Sequence, residues 1–218
     1  MRGILLVNLR RYWLGLNRIK PFVRTHSYDL TNSKPSFLPA KISKMKDYKT
    51  FETERLFIRP TTEEDADFIF ELLNTPKWIK HIGDRNVQSA DDARNYINEK
   101  MKPQLESLGY TNNTVIRRSD GVKIGTCGLY DREGLEGVDI GFAFLPAYEK
   151  QGYAFESAAR ILKAAFEDFN IELVSAITIE KNTDSQNLIK KLGLKFIKMI
   201  KISGDEEELM LFQLNCPK

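Results

Sequence analysis

Val138-Asp139-Ile140-Gly141-Phe142-Ala143-Phe144-Leu145-Pro146, followed by Glu149-Lys150-Gln151-Gly152-Tyr153-Ala154, decides the fold. The first eight residues are apolar enough for a buried strand. Pro146 ends it, because proline cannot donate to a ladder. Beyond the turn, Ala154, Ala158, Ile161, Leu162, Ala165, Phe166 and Phe169 recur every three or four residues, which predicts one buried helix face over 153–169. Glu172 to Ile179 reads as a second buried strand, parallel to the first through that helix crossover. Asn182 or Thr183 then caps a short helix that stops at Gly193. The turn is the chemically informative part. The first N–H groups of a helix have no partner within it, and the helix dipole puts partial positive charge there. Gly152 has no Cβ and Ala154 is small, so an anion can approach main chain at Gln151 to Ala154. The stretch is neither a P-loop nor G-x-G-x-x-G, and taken alone it also fits ordinary helix entry.

Working outward, Asn113–Arg118 and Val122–Tyr130 flank the hairpin signal Ser119-Asp120-Gly121, and a second turn at Arg132–Gly137 feeds the central strand. Further upstream, Arg55 to Arg59 alternates charged and apolar residues, as a half-buried strand does. Thr61-Thr62-Glu63-Glu64-Asp65 starts a helix whose buried face is Phe68, Ile69, Leu72 and Leu73, and Asn74-Thr75-Pro76 stops it. Lys77 to Val87, with Trp78, His81, Asp84 and Arg85, has no clear period; the plain reading is a core Trp78 among solvated charges. Ser89-Ala90-Asp91-Asp92 opens a helix to about Leu108, kinked near Pro103 and stopped by Gly109. Downstream, Lys195–Ile202 and Glu207–Leu214 form a last hairpin around Ser203-Gly204-Asp205.

The 218 residues, 42% hydrophobic and 29% charged, suit one substantial globular domain. No apolar run approaches the roughly 20 residues of a membrane helix. Two cysteines, Cys127 and Cys216, argue against a disulfide framework and for a reducing, cytoplasmic setting. With His26 and His81 as the only histidines and no C-x-x-C, no metal site is expected. Residues 1–44 hold nine Lys/Arg and one acid, formally +8; subtracting that from the chain's +3 leaves −5 for residues 45–218. Bulk attraction to nucleic acid would rest on the extension alone, and the mildly acidic body would draw a cationic acceptor. The extension reads as a basic, loosely packed leader: an upstream start before Met45, a transit peptide or a membrane-surface helix. The domain is residues 45–218.

Pro146 to Ala154 resembles the pyrophosphate loop of the GCN5-related N-acetyltransferases (GNAT), Arg/Gln-x-x-Gly-x-Gly/Ala, with Gly152 and Ala154 in the small positions and Glu149 where Arg or Gln is usual. Asn182-Thr183-Asp184-Ser185, Leu188 and Lys191-Leu192-Gly193-Leu194 are similar to the Asn-x-x-Ser…Glu-Lys-Leu-Gly-Phe segment of the RimJ/RimL-like branch. Glu54 to Pro60 resembles that branch's first strand. The resemblance covers about Phe51 to Leu214 and implies a mixed α/β GNAT fold, a mostly antiparallel sheet of about seven strands with helices on both faces. It implies acetyl-CoA as co-substrate. Its diphosphate would sit on Lys150, Gln151, Gly152, Tyr153 and Ala154. Its pantetheine would pair with main chain at Phe142, Ala143 and Phe144, where the central strand bulges and parts from the next. Gly141 suits that kink, or simple close packing. Asn182 would bond the pantetheine arm, cap the helix, or both. Ser185 would donate to the departing thiolate.

The implied reaction is attack of a primary amine on the thioester. A Lys amine is about 0.1% neutral near pH 7.4 and an α-amine about a third. An α-amine therefore needs little base help, and the resemblance favours a protein or peptide N-terminus. A small amine such as an antibiotic or polyamine is the alternative acceptor, and a non-catalytic CoA-binding protein is the silent alternative. Asp139 stands where some relatives carry a basic Glu; it is either a general base or the partner of Arg55 or Arg59. Residues 77–87 would line the acceptor side. No DNA partner and no membrane span are expected, and a monomer or homodimer is. A Ser-His hydrolase lacks its G-x-S-x-G elbow, and a dinucleotide fold would place its glycine turn first, not after a meander.

Overall fold

The structure, a computed structural model, describes residues 48–202 and 207–217. The expectations for residues 1–44 and for the turn at Ser203-Gly204-Asp205 lie outside them. Eight strands form one sheet: β1 (Phe51–Glu52), β2 (Leu56–Pro60), β3 (Asn112–Arg117), β4 (Lys123–Tyr130), β5 (Val138–Phe144), β6 (Leu173–Ile179), β7 (Lys195–Ile200) and β8 (Leu209–Asn215). Their order is β1-β2-β3-β4-β5-β6-β8-β7. Every pairing is antiparallel except β5 with β6. The strand beyond the expected seven is the two-residue edge β1, too short to show a period.

Helix α5 (Tyr153–Glu167) is the crossover between β5 and β6. Its face of Ala158, Ile161, Leu162 and Ala165 is buried with Leu56, Ile58, Ile140 and Phe144 of the sheet. A second apolar cluster joins α1 (Ala66–Leu73) and α3 (Ala90–Tyr96) to Leu145 and Ala143. Strand β5 therefore has cover on both faces, which is why its sequence is apolar throughout rather than alternating. Short α6 (Thr183–Lys191) follows β6, with Asn182 as its N-cap.

Three local features depart from or sharpen the expectation. Asn74-Thr75-Pro76 ends α1, but Pro76 also begins α2 (Pro76–His81), whose Trp78 N–H donates to the Thr75 hydroxyl. Proline is tolerated there because the first helical N–H has no partner anyway. Next, the 90–108 helix is interrupted as a π turn, Ile97–Met101, before α4 (Lys102–Leu108). Pro103 can neither donate back nor clear the carbonyl four residues earlier, and the wider turn removes that clash. Lastly, β5 carries no bulge: its register against β4 is continuous from Tyr130↔Asp139 to Gly125↔Phe144. The expected kink at Gly141 is absent. A Cβ there would lie 2.9 Å from the Tyr130 ring, so close packing accounts for the glycine.

Candidate active site

The central pair is a fork. Strands β5 and β6 are paired only at Val138↔Val174 and Asp139↔Ser175, then part. Each is tied on its outer side instead, β5 to β4 and β6 along its whole length to β8. Main chain of Gly141 to Phe144 thus presents an edge without a strand partner toward β6. Parting needs no bulge in β5, because the outer pairings alone steer the strands away from each other.

At the open end of the fork lies the loop into α5. Gly152 is the N-cap at φ +86°, a left-handed conformation that glycine adopts without strain. Lys150, at φ +57°, turns the chain just before it. The first helical bond runs from the Glu156 N–H to the Gly152 carbonyl, so the N–H groups of Gly152, Tyr153, Ala154 and Phe155 precede the ladder. The loop is braced from behind. Arg55 donates to the Gln151 carbonyl at 3.0 Å, pairs with Glu156 and stacks on the Tyr153 ring at 4.5 Å. The Gln151 side chain donates to the Ala147 carbonyl. Glu149, where Arg or Gln is usual, pairs with Lys77 of α2, and Lys77 also lies 3.7 Å from Asp184 of α6. A cation from another element thus stands where the loop's own side chain brings an acid.

A cavity of about 370 Å³ opens beyond the fork. Asp139, Gly141 and Phe142 of β5, together with Asn182 and Ser185, line one wall. Asn182 Oδ1 accepts the Ser185 N–H at 3.2 Å, so the helix-cap role is filled, while its amide nitrogen has no partner among the described residues. The Ser185 hydroxyl makes no hydrogen bond among the described residues and borders the cavity. Of the three predicted pantetheine positions, only Phe142 borders it; Ala143 packs on the α1–α3 cluster and the Phe144 side chain on the α5 core.

Asp139 is 2% exposed and stands at the crotch of the fork. Its partner is Arg132, at 2.9 and 3.1 Å to Oδ2, and not Arg55 or Arg59. Arg55 is committed to Glu156 and Arg59 to Asp65. Arg132 lies on the turn directly preceding β5, a proximity that alternation along a strand cannot reveal. Oδ1 has no hydrogen-bond partner among the described residues; the Ile177 main-chain N–H lies nearby without closing a bond of ordinary geometry. Burial raises the carboxyl above the usual carboxylate range, partly offset by Arg132.

Tyr130 and Asn112 of the cavity lining had no role assigned from sequence, whereas segment 77–87, expected on the acceptor side, supplies Trp78, His81 and Arg85. Tyr130 donates to Asn112 Oδ1 at 2.5 Å, Asn112 donates to Thr61, the Thr61 and Thr114 hydroxyls meet at 3.0 Å, and Thr114 donates to Asp65. This buried relay fixes the Tyr130 ring beside Gly141. His81, the one histidine of residues 45–218, ends α2 at the cavity. Its Nδ1 is buried without a partner among the described residues, and burial, then Lys80 and Lys77, lower its pKa. Its uniqueness in the domain was the available sequence signal. Trp78 also lines the cavity with Nε1 buried and unpartnered, so it is not simply core.

A fork that opens onto a bare helix start, with a polar cavity beside it, leaves room for an extended ligand between parted strands. The chain belongs to the GNAT acetyltransferases: residues 55–195 match the profile of the acetyltransferase (GNAT) domain. It is 29% identical over 143 residues to the uncharacterized N-acetyltransferase YnaD of Bacillus subtilis, covering 66% of this chain and 81% of that protein. Among solved structures, a GNAT-family acetyltransferase from Bacillus anthracis superposes with TM-score 0.65 at 24% identity, over 77% of this chain and 98% of that one. The ribosomal-protein-S5-alanine acetyltransferase of Vibrio fischeri superposes with TM-score 0.61 at 17% identity, over 77% and 96%. The chain is thus an acetyl-CoA-dependent acyltransferase with the GNAT fold. Among the described residues no helix is long and apolar enough to cross a membrane.

The residues present fit acetyl-CoA. The Gly152 loop offers N–H groups to a diphosphate, and the unpaired edge of β5 offers main chain to a pantetheine amide.

Proposed function

We propose that the protein transfers the acetyl group of acetyl-CoA to the α-amine of a protein or peptide N-terminus. The observation that carries the acetyl-transfer part is the fork, with the Gly152 loop past the parted end of β5 and a cavity bordered by Asp139, Ser185 and Asn182. The fold shared with a ribosomal-protein-alanine acetyltransferase supports the choice of acceptor. So does the site's modest base equipment: the one buried carboxylate of the cavity lining, Asp139, is half-engaged by Arg132. An α-amine near pKa 7.8 is already about a third neutral near pH 7.4 and needs no strong base.

In this mechanism Lys150 to Ala154 hold the diphosphate and main chain at Phe142 to Phe144 aligns the pantetheine arm. The Asn182 amide nitrogen, spare after capping, donates to that arm. The amine enters from the α2 side and attacks the thioester carbonyl. Asp139 Oδ1 takes the proton that the amine sheds, and its raised pKa makes it the more effective acceptor. The Ser185 hydroxyl hydrogen-bonds the departing sulfur. The acetyl C–S bond breaks as the C–N bond forms, releasing CoA thiol and the acetylated amine. The reducing setting suggested by two unpaired cysteines favours a cytoplasmic site of action.

The test is thiol release from acetyl-CoA with peptides of varied first residue, each also supplied N-terminally blocked with an internal lysine. Mass mapping should place the acetyl group on the α-amine. Acetylation of the blocked peptides at lysine, or of polyamines only, would refute the acceptor assignment. Asp139→Asn should lower kcat roughly 10²-fold, and Ser185→Ala by about 5- to 30-fold, each with little change in the KM for acetyl-CoA.

A further inference from the structure

Acceptor chemistry can be read from the cavity wall opposite the fork. That wall comes from α2, the loop after it, the π turn and α4. It carries Arg85 and Lys100, neither of which forms an ion pair among the described residues. Arg132 lines the same cavity, but Asp139 engages it. The remaining acid of the lining is Asp131, solvent-exposed like Arg85 and Lys100, so Arg85, Lys100 and Arg132 outnumber Asp131 and Asp139 by one charge. Trp78 adds a buried indole N–H without an acceptor among the described residues, and an indole N–H can only donate. The wall is therefore rich in donors and positive charge, although residues 45–218 carry net −5. An unpaired buried donor destabilises the empty site, so a ligand that supplies an acceptor recovers that loss.

Lys100 is not placed for the cofactor's phosphates. Lys100 is joined to the start of β3 by the Thr111 hydroxyl, which donates to the adjacent Met101 carbonyl. Asn112, next in sequence, pairs with Gly128 near the Tyr130 end of β4. The Gly152 loop follows Phe144, which pairs with Gly125 at the other end of β4. From Gly125 to Gly128 a strand advances about 10 Å. Lys100 at one end and a bare helix start at the other fit two anionic groups on two molecules.

Resting on the acetyl-transfer reading above, we infer that the acceptor is an anionic amine: its primary amine is accompanied by a carboxylate or phosphate that Arg85, Lys100 and the Trp78 indole receive. For a peptide the anion is an acidic side chain next to the N-terminus; for a small molecule it is part of the amine itself. Local charge here opposes the bulk charge of the domain, and at contact distance the local groups dominate because solvent and salt screen the rest.

The experiment compares kcat/KM within matched pairs of acceptors. The pairs are peptides with Asp or Asn at the second position, an amino acid and its amide, and a hexosamine phosphate and the free hexosamine. Spermidine is the cationic reference. The anionic member should be favoured at least 10-fold in one or more pairs, and the responsive pair identifies the source of the anion. In an Arg85→Ala/Lys100→Ala variant the preference should fall at least fivefold, chiefly through acceptor KM. CoA binding followed by calorimetry, together with a thermal melt, controls for folding; the milder Arg85→Gln should show an intermediate loss. Equal use of both members, a preference for spermidine, or a preference that survives the double substitution would overturn the inference while leaving acetyl transfer intact. If CoA binds but no amine is acetylated, the acetyl-transfer reading fails and this inference falls with it.

Discussion

Asp65 shows how a single carboxylate ties the helical layer to the sheet. It is fully buried, and burial alone would push its pKa upward. Arg59 contacts both its oxygens at 2.7 and 2.8 Å, Lys123 approaches at 2.6 Å, and the Thr62 N–H donates at 2.9 Å. Together they outweigh burial and hold the carboxyl at about 2, against 3.8 ordinarily. A carboxyl depressed by folding stabilises the native state above its unfolded pKa, and that stability is lost as pH falls toward the folded one. The difference corresponds to about 2 kcal/mol at neutral pH. Asp65→Asn should therefore lower stability by about 2–4 kcal/mol at pH 7, the larger figure including stranded Arg59 and Lys123. Denaturant titrations of both proteins should converge as pH drops from about 4 to 2. Because Asp65 also ends the Thr114–Thr61–Asn112–Tyr130 relay, the same variant should lose acceptor turnover more than CoA affinity. Cys127 makes a contrasting case. Burial pushes its thiol up to about 12, so in the native protein thiol reagents should modify the partly exposed Cys216 and spare Cys127.

Among the elements, the loop into α5 has the most at stake at Gly152. Any side chain there must adopt φ +86°, at a cost of roughly 1–2 kcal/mol. The Cβ would lie 3.2 Å from the end of the Arg55 side chain, which can move, so the backbone term decides the sign. Gly152→Ala should lower the melting temperature modestly and raise the KM for acetyl-CoA about tenfold, since any relaxation turns the helix-start N–H groups away from the diphosphate. An unchanged KM would remove the loop from cofactor binding. Lys77→Ala tests the neighbouring pair: Glu149 would face the same anion uncompensated, and CoA affinity should fall. The α5 loop was legible because a long buried helix repeats its signal several times and a glycine marks its start. Helix α2 was not, since its six residues bury none of their side chains fully and leave no period to read. Nor was the Asp139–Arg132 pair, because a turn that folds back beside its own strand leaves no mark in spacing. The π turn was half legible: Pro103 announced a break, but the remedy depends on how the chain reaches Thr111.

At the scale of the whole molecule, the sheet is two well-paired halves joined by a short seam. The β1–β5 half and the β6–β8 half meet through two register pairs, with the α5 crossover as the covalent link. Few hydrogen bonds cross that seam, so its amides should open more readily than those of the seven-pair β6–β8 ladder. In the proposed binding mode, acetyl-CoA entering the fork would supply amide hydrogen-bond partners that β6 does not, and would act as a bridging strand between the halves. Hydrogen exchange with and without saturating CoA should then show a localised pattern. Alternate amides of Gly141 to Phe144 and those of Gly152 to Phe155 should slow, while the β6–β8 ladder, already closed, changes little. Ligand present at 100 times its Kd adds about 2.7 kcal/mol to native stability, which for a chain of this size is a rise of about 5–11 °C in Tm. A Tm rise without slowing in Gly141 to Phe144 would mean that CoA binds outside the fork.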